Sequence, residues 1–174
     1  MPDPTDIAVI SSALPATLTF IFQRLERLLD SRAAEPEEDV ALPGSLVGTL
    51  QLPLQPARDV LQTRRGELEL LQETLADYAH GTVPVDISDQ RLVRNLARAR
   101  GALEAIYGQH LTFEGEDRPA SGPFVHQRVT TLSGEATGID SDKIAGNSRV
   151  IQDVQTVDAG GKLIGMRGQR NTRQ

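Results

Sequence analysis

From Ile7 to Gln23 the chain carries no charged residue, and this run limits what the rest can fold around. Seventeen residues wound as a helix would measure about 25 Å, against a hydrocarbon core of roughly 30 Å. Such a helix has two uses. It can be the buried centre of a small bundle, or a segment hidden in one state and offered to something greasy in another. Ser11, Ser12, Thr17 and Thr19 dilute it, so it is too short and too polar for a constitutive span. The same length suits a core helix, and both uses stay open at this point. Thr5 or Asp6 can cap its start. Pro15, mid-run, should kink the helix or restart it. From Arg24 the pattern turns amphipathic, with Leu25, Leu28 and Leu29 on one stripe and Arg24, Arg27 and Asp30 on the other.

An acidic, proline-bearing linker follows over residues 31–43. The segment after it, with Leu46, Val47, Leu50, Leu52 and Leu54, reads as a short helix or an extended piece packed on a bundle. The next two elements are clearer. Pro56 suits a first helical turn. After it Leu61, Leu68 and Leu75 recur every seven residues, with Leu71 and Tyr78 between them, and Gly81 is placed to end the helix. Asp86 or Ser88 can cap a second helix striped by Leu92, Leu96, Ala99, Leu103 and Ile106 and stopped by Gly108. Two stripes of similar length joined by a short loop predict an antiparallel helical hairpin.

Beyond Gly108 the pattern changes to strand and turn chemistry, with Leu111, Phe113, Val125, Val129, Leu132 and Ile139 among glycines. This end contains a repeat. Gln127, Val129, Thr131 and Leu132 match Gln152, Val154, Thr156 and Val157. After a two-residue insertion, Gly134, Gly138 and Ile139 match Gly161, Gly165 and Met166. Each copy reads as a strand, a glycine-containing turn and a second short strand. Two copies are too few for a solenoid; they suffice for two stacked hairpins or two rungs of a β-arcade. The second copy has strand-forming residues, no proline, and Asn147, Gln152 and Gln155 able to form ladders. Such segments can stack in register, each chain hydrogen-bonding the next, and an unpaired edge would accept a similar strand from another protein.

Little in the sequence points to catalysis. There is no cysteine, which excludes disulfides, thiolate metal sites and cysteine nucleophiles. His80, His110 and His126 have no partner at metal-ligand spacing. No G-x-S-x-G elbow or P-loop occurs. The cluster Glu114, Glu116, Asp117 and Arg118 could in principle supply paired carboxylates, but reads better as a solvated turn with a local Arg–carboxylate contact. The reading is therefore of a non-enzymatic chain with no catalytic, cofactor or metal residue. The net charge of −6 shows no basic stripe, so nucleic acid is not an expected partner. Asp3 and Asp6 precede the apolar run, where a secretory signal wants Lys or Arg, so a cytoplasmic protein starting near Met1 is expected. Charge is also uneven. Residues 1–42 hold eight acids against three Arg, and residues 147–174 hold five bases against two acids.

The expected fold is mainly α: a small helical bundle with a long antiparallel helical hairpin over residues 1–118, then a β-hairpin-rich, glycine-rich tail over residues 119–174. This plan of apolar first helix, helical bundle and short C-terminal β motif resembles the bacterial HeLo-like, or Bell, cell-death effectors with amyloid-signalling motifs; fungal HeLo-type proteins share it. The resemblance implies a partner, often an NLR-type NTPase receptor, that carries a similar motif and templates the tail. The helical domain then oligomerises, exposes its first helix and permeabilises the membrane, moving from the cytoplasm to its inner face. By the resemblance, Ile7, Val9, Ile10, Leu14, Leu18, Phe20, Ile21 and Phe22 correspond to the membrane-active helix. Val150, Ile151, Gln152, Val154, Val157, Gly160, Gly161, Leu163, Ile164 and Gly165 fall in the tail interaction motif. The same layout also fits a non-enzymatic adaptor of a bacterial conflict or signalling system.

Overall fold

The computed structural model describes residues 11–144 and 149–170; for residues 125–131, 138–144 and 168–170 it describes the backbone path alone. The chain divides into two compact units, one ending at Ser121 and the next beginning at Gly122. The first holds a 3-10 turn (Ser11–Ala13) and helices α1 (Leu14–Leu29), α2 (Arg58–Ala79) and α3 (Gln90–Tyr107), followed by a two-residue strand β1 (Gln109–His110). The second holds β2 (Gly122–Leu132), β3 (Glu135–Ile144), β4 (Arg149–Val157) and β5 (Lys162–Arg170). The fold is thus mixed α/β and not mainly α as expected.

Helix α1 restarts at Pro15. The proline lies in its first turn, where the missing N–H would have had no intrahelical acceptor. The expected caps at Thr5 and Asp6 lie outside the described residues. From there Leu14, Leu18, Ile21, Leu25 and Leu28 alternate four and three residues apart and are all buried. Phe20, Phe22, Thr17 and Arg24 are buried as well, so α1 is covered on more than one side. It packs against both α2 and α3.

Helix α2 contributes Leu61, Leu68, Leu71, Leu75 and Tyr78 to the core, and α3 contributes Leu92, Leu96, Ala99, Leu103 and Ile106. The Ala57 N–H, at the start of α2, donates to the Ile106 carbonyl near the end of α3 at 2.8 Å. At the other end the Tyr78 hydroxyl of α2 donates to the Asp89 carboxylate, which caps α3, at 2.7 Å. The pair therefore runs antiparallel. The cap is Asp89, not Asp86 or Ser88: its Oδ1 accepts from the N–H groups of Arg91 and Leu92. Asp86 instead accepts from Ser88 one turn earlier. The Tyr78 hydroxyl and the Leu92 N–H hold the Asp89 carboxyl below the usual carboxylate range. The bond to Asp89 in turn raises the phenol of Tyr78. Pro56 precedes the Ala57 cap of α2 and does not enter its first turn.

Residues 46–54 are extended. Glu37 and Leu54 exchange backbone hydrogen bonds at 2.9 and 2.8 Å, and Val47 N–H donates to the Thr112 carbonyl at 2.9 Å. These contacts lay the linker across the bundle and bury Leu50 and Leu54. The segment after Gly108 returns along it and buries Leu111 and Phe113 in the same core.

In the second unit the strands do not form hairpins, which corrects the expected β-hairpin-rich tail. Strand β2 pairs β4 in parallel, and β3 pairs β5 in parallel. The first sequence copy is one rung and the second copy is another, stacked on it. Parallel partners cannot be joined by a tight two-residue turn; here each strand's partner lies one repeat further along the chain. The register matches the repeat: Gln127, Val129, Thr131 and Leu132 stand opposite Gln152, Val154, Thr156 and Val157, and Ile139 opposite Met166. The two-residue insertion is the longer corner of the second rung. Ser133 and Gly134 alone join β2 to β3, whereas residues 158–161 join β4 to β5.

Candidate functional site

Two elements carry the candidate residues, and they belong to different units. The first is α1. Leu14, Leu18, Phe20, Ile21 and Phe22 are all buried, Ile21 completely. Ile7, Val9 and Ile10 lie outside the described residues. Phe20 meets the ring of Phe113 edge-on at 6.3 Å between centroids, and Phe22 meets His80 edge-on at 5.5 Å. Arg24 points inward to pair with Glu37 of the linker, with its guanidinium over the Phe20 ring. Burial pushes the nearby Tyr107 phenol beyond the range in which a tyrosine ordinarily ionises. The outward side of α1 is small and weakly polar where Pro15, Ala16, Thr19 and Gln23 are exposed. At 16 residues the helix measures about 24 Å. Among the described residues no helix is long and apolar enough to cross a membrane.

The acidic turn after α3 is solvated at Glu114 and Asp117, as its sequence suggests, but not at Glu116. Glu116 is almost fully buried and accepts a hydrogen bond from Arg100 of α3, itself 2% exposed. The other oxygen of Glu116 accepts the Phe113 N–H at 2.8 Å. Glu104 of α3 takes both oxygens to Arg118 at 3.0 Å and also accepts the Leu111 N–H at 2.8 Å. Burial lowers the proton affinity of Arg100, and the Glu116 charge opposes that shift. These carboxylates are used to fasten residues 111–118 to α3. Among the described residues no group of three His, Asp or Glu side chains could hold a metal ion.

The second element is the pair of rungs. Along β4, Val150, Gln152 and Val154 are half-buried while Ile151, Asp153 and Gln155 are exposed. The inward face is turned to β5, since the Gln152 amide donates to the Ile164 carbonyl at 3.1 Å. Ile164 is half-buried, and the Gly165 backbone lies near the Gln152 side chain. Ile151, Val157, Leu163 and Met166 are large apolar side chains left 39–51% exposed.

The corner of the second rung depends on glycine. Gly160 has φ near +98°, a conformation that L side chains rarely adopt. At Gly161 a Cβ would come 2.5 Å from the Leu132 carbonyl oxygen and 2.7 Å from Val157. That close approach lets Asp158 N–H donate to the Leu132 carbonyl at 2.9 Å and Lys162 N–H to the Gly134 carbonyl at 2.8 Å. Gly161→Ala is expected to separate the rungs at this corner and cost about 1–3 kcal/mol. Hydrogen exchange should show it as lost amide protection in 158–164 with the helices unchanged.

Sequence reasoning passed over the charged residues of the tail. Glu135 receives Lys162 at 3.3 Å and also Arg167. The hydrogen bond from Arg167, then that from Lys162, holds the Glu135 carboxyl below its usual range. The signal was available: Glu135 and Lys162 occupy equivalent positions of the repeat with opposite signs. The inward pairings Arg24–Glu37 and Arg100–Glu116 left no such trace, because nothing local marks which carboxylate a buried arginine will meet.

No family model, curated protein or solved structure matches this chain.

Proposed function

We propose that this chain is a signal-triggered cell-death or defence effector, whose C-terminal rungs receive the signal and whose helix α1 acts on a membrane. The observation that carries the reading is the parallel, in-register stacking of two sequence copies. A strand pair of this kind presents at its edge the same backbone pattern that it uses internally, so a further rung can be added by repetition. Strand β4 ends its sheet, and β3 and β5 form a sheet of two. The resemblance to HeLo-like effectors supports an NLR-type receptor with a similar motif as the source of the added rung. It also supports oligomerisation of the helical unit once the tails have stacked. Helix α1 suits the second step because its apolar residues are stored in the core, while its exposed side bears small, weakly polar residues over Pro15–Gln23.

The test is dye release from anionic phospholipid vesicles by full-length protein, before and after assembly. Assembled protein should release dye and the starting protein should not. Ala16→Asp combined with Thr19→Lys alters exposed positions, so the folded state should persist. Each charge near the centre of a membrane-embedded helix costs about 2.5–3.5 kcal/mol, so release should fall to background. If assembled wild-type protein releases no dye, the effector reading fails and a non-enzymatic adaptor remains.

A further inference from the structure

Where α1 ends and α2 begins, the helical unit is incompletely filled. A cleft of about 470 Å³ lies between Leu29 at the end of α1, the turn over residues 31–34 and the first two turns of α2. Small-molecule sites typically occupy about 300–1,000 Å³. The apolar wall is Leu29, Ala33, Ala34 and Leu61. The two alanines leave room that longer side chains would take. Among the described residues that line the cleft none is aromatic, so a planar ring finds no stacking partner and an aliphatic chain fits better.

The polar wall comes from one face of α2. Arg58, Gln62 and Arg65 follow one another four and three residues apart, and all three are exposed. Arg65 is committed: its Nε donates to Glu69 at 3.2 Å and its Nη2 to the Leu29 carbonyl at 3.4 Å. Arg58 meets no carboxylate among the described residues. Asp30 is the single acid among the described lining residues, and its Oδ1 already accepts the Ser31 N–H at 2.6 Å and the Ser31 hydroxyl at 3.2 Å. A free guanidinium beside an apolar cleft selects an anionic head group, above all a carboxylate, which it meets with two parallel N–H donors. We propose that this cleft binds an aliphatic carboxylate, with the chain along Leu29, Ala33, Ala34 and Leu61 and the head group on Arg58. Gln62, one turn further on, can donate to the same head group. The bound molecule touches α1, the turn and α2 together, so it fastens the end of α1 to its neighbour and stabilises the folded unit by mass action.

The test is calorimetric titration of the full-length chain with decanoate, kept below the concentration at which it forms micelles. One saturable site is expected, with a higher thermal midpoint and slower amide exchange over residues 26–34 and 58–65. Decanol and decyltrimethylammonium carry the same chain without the anion and should bind about tenfold more weakly or worse. Arg58→Glu, at an exposed position, should weaken decanoate by about tenfold or more. Ala34→Leu keeps the charges, fills the cleft and should weaken it too. If Arg58→Glu does not fold by circular dichroism, Arg58→Gln removes the charge alone and decides on the same criterion. The proposal is overturned by the absence of a saturable site, by equal binding of the three amphiphiles, or by undiminished binding to the Arg58 variant. Exchange slowed elsewhere places the ligand outside the cleft and overturns it as well. None of these readouts depends on tail assembly or on dye release.

Discussion

Glu116→Ala should cost the helical unit about 3–5 kcal/mol, the penalty for removing one partner of a buried ion pair. Arg100 is 2% exposed and Glu116 lies against it, so the ion pair is broken in a buried site. The Phe113 N–H loses its acceptor at the same time, and a buried unsatisfied donor adds to the loss. A domain of this size is stable by about 5–15 kcal/mol, so the loss removes a large share of the stability. Urea denaturation followed by circular dichroism measures it. Two further variants separate the causes. Glu116→Gln keeps an acceptor for Phe113 and loses only the charge, and should cost less. Arg100→Met with Glu116→Leu removes both charges and should recover much of the stability. A loss below about 1 kcal/mol for Glu116→Ala would mean that Glu104 takes over Arg100, and that the turn is not fastened by Glu116.

Phe113→Ala is the second large effect, expected at about 3–5 kcal/mol. The side chain is completely buried and its ring meets Phe20 of α1 edge-on. Truncation leaves a cavity between α1 and the segment that crosses it, and removes an aromatic contact worth about 0.5–1.5 kcal/mol beyond area. Phe113→Leu retains most of the volume and should cost under about 1.5 kcal/mol. Hydrogen exchange should report the alanine variant first in α1, because Phe113 covers that helix directly. The two sites are joined by the hydrogen bond from the Phe113 backbone N–H to Glu116, so the losses of the double alanine variant should depart from simple additivity. In the proposed mechanism these residues hold α1 in its stored state. Phe113→Ala should then lower the threshold for dye release as well as the stability.

The helices are legible in the sequence because their signals are local. Leucines three, four and seven residues apart put one face inward whatever that face meets, and Gly81 and Gly108 stop α2 and α3 where the spacing ends. The tail repeat is legible for a related reason. Two segments with matching side chains have matching structural demands, and the register follows the match residue by residue. What the repeat leaves undecided is strand direction. Alternation of apolar and polar residues reads the same in a hairpin and in a parallel rung; the choice falls to whichever backbone supplies the hydrogen-bond partners.

The amino-acid sequence by itself determined where helices form, where glycine ends them, and which tail residues are equivalent, since each depends on neighbours within about two turns or on identity between copies. Only the tertiary structure decided that Tyr78 meets Asp89 and that Arg24 faces Glu37. It also decided that Glu116 is buried and that the tail copies stack in parallel. These outcomes depend on burial and on contacts between chain segments, including the 16 residues that separate Arg100 from Glu116. The worth of a charge or a hydrogen bond is set by the water excluded around it, and that exclusion exists only once the segments have met.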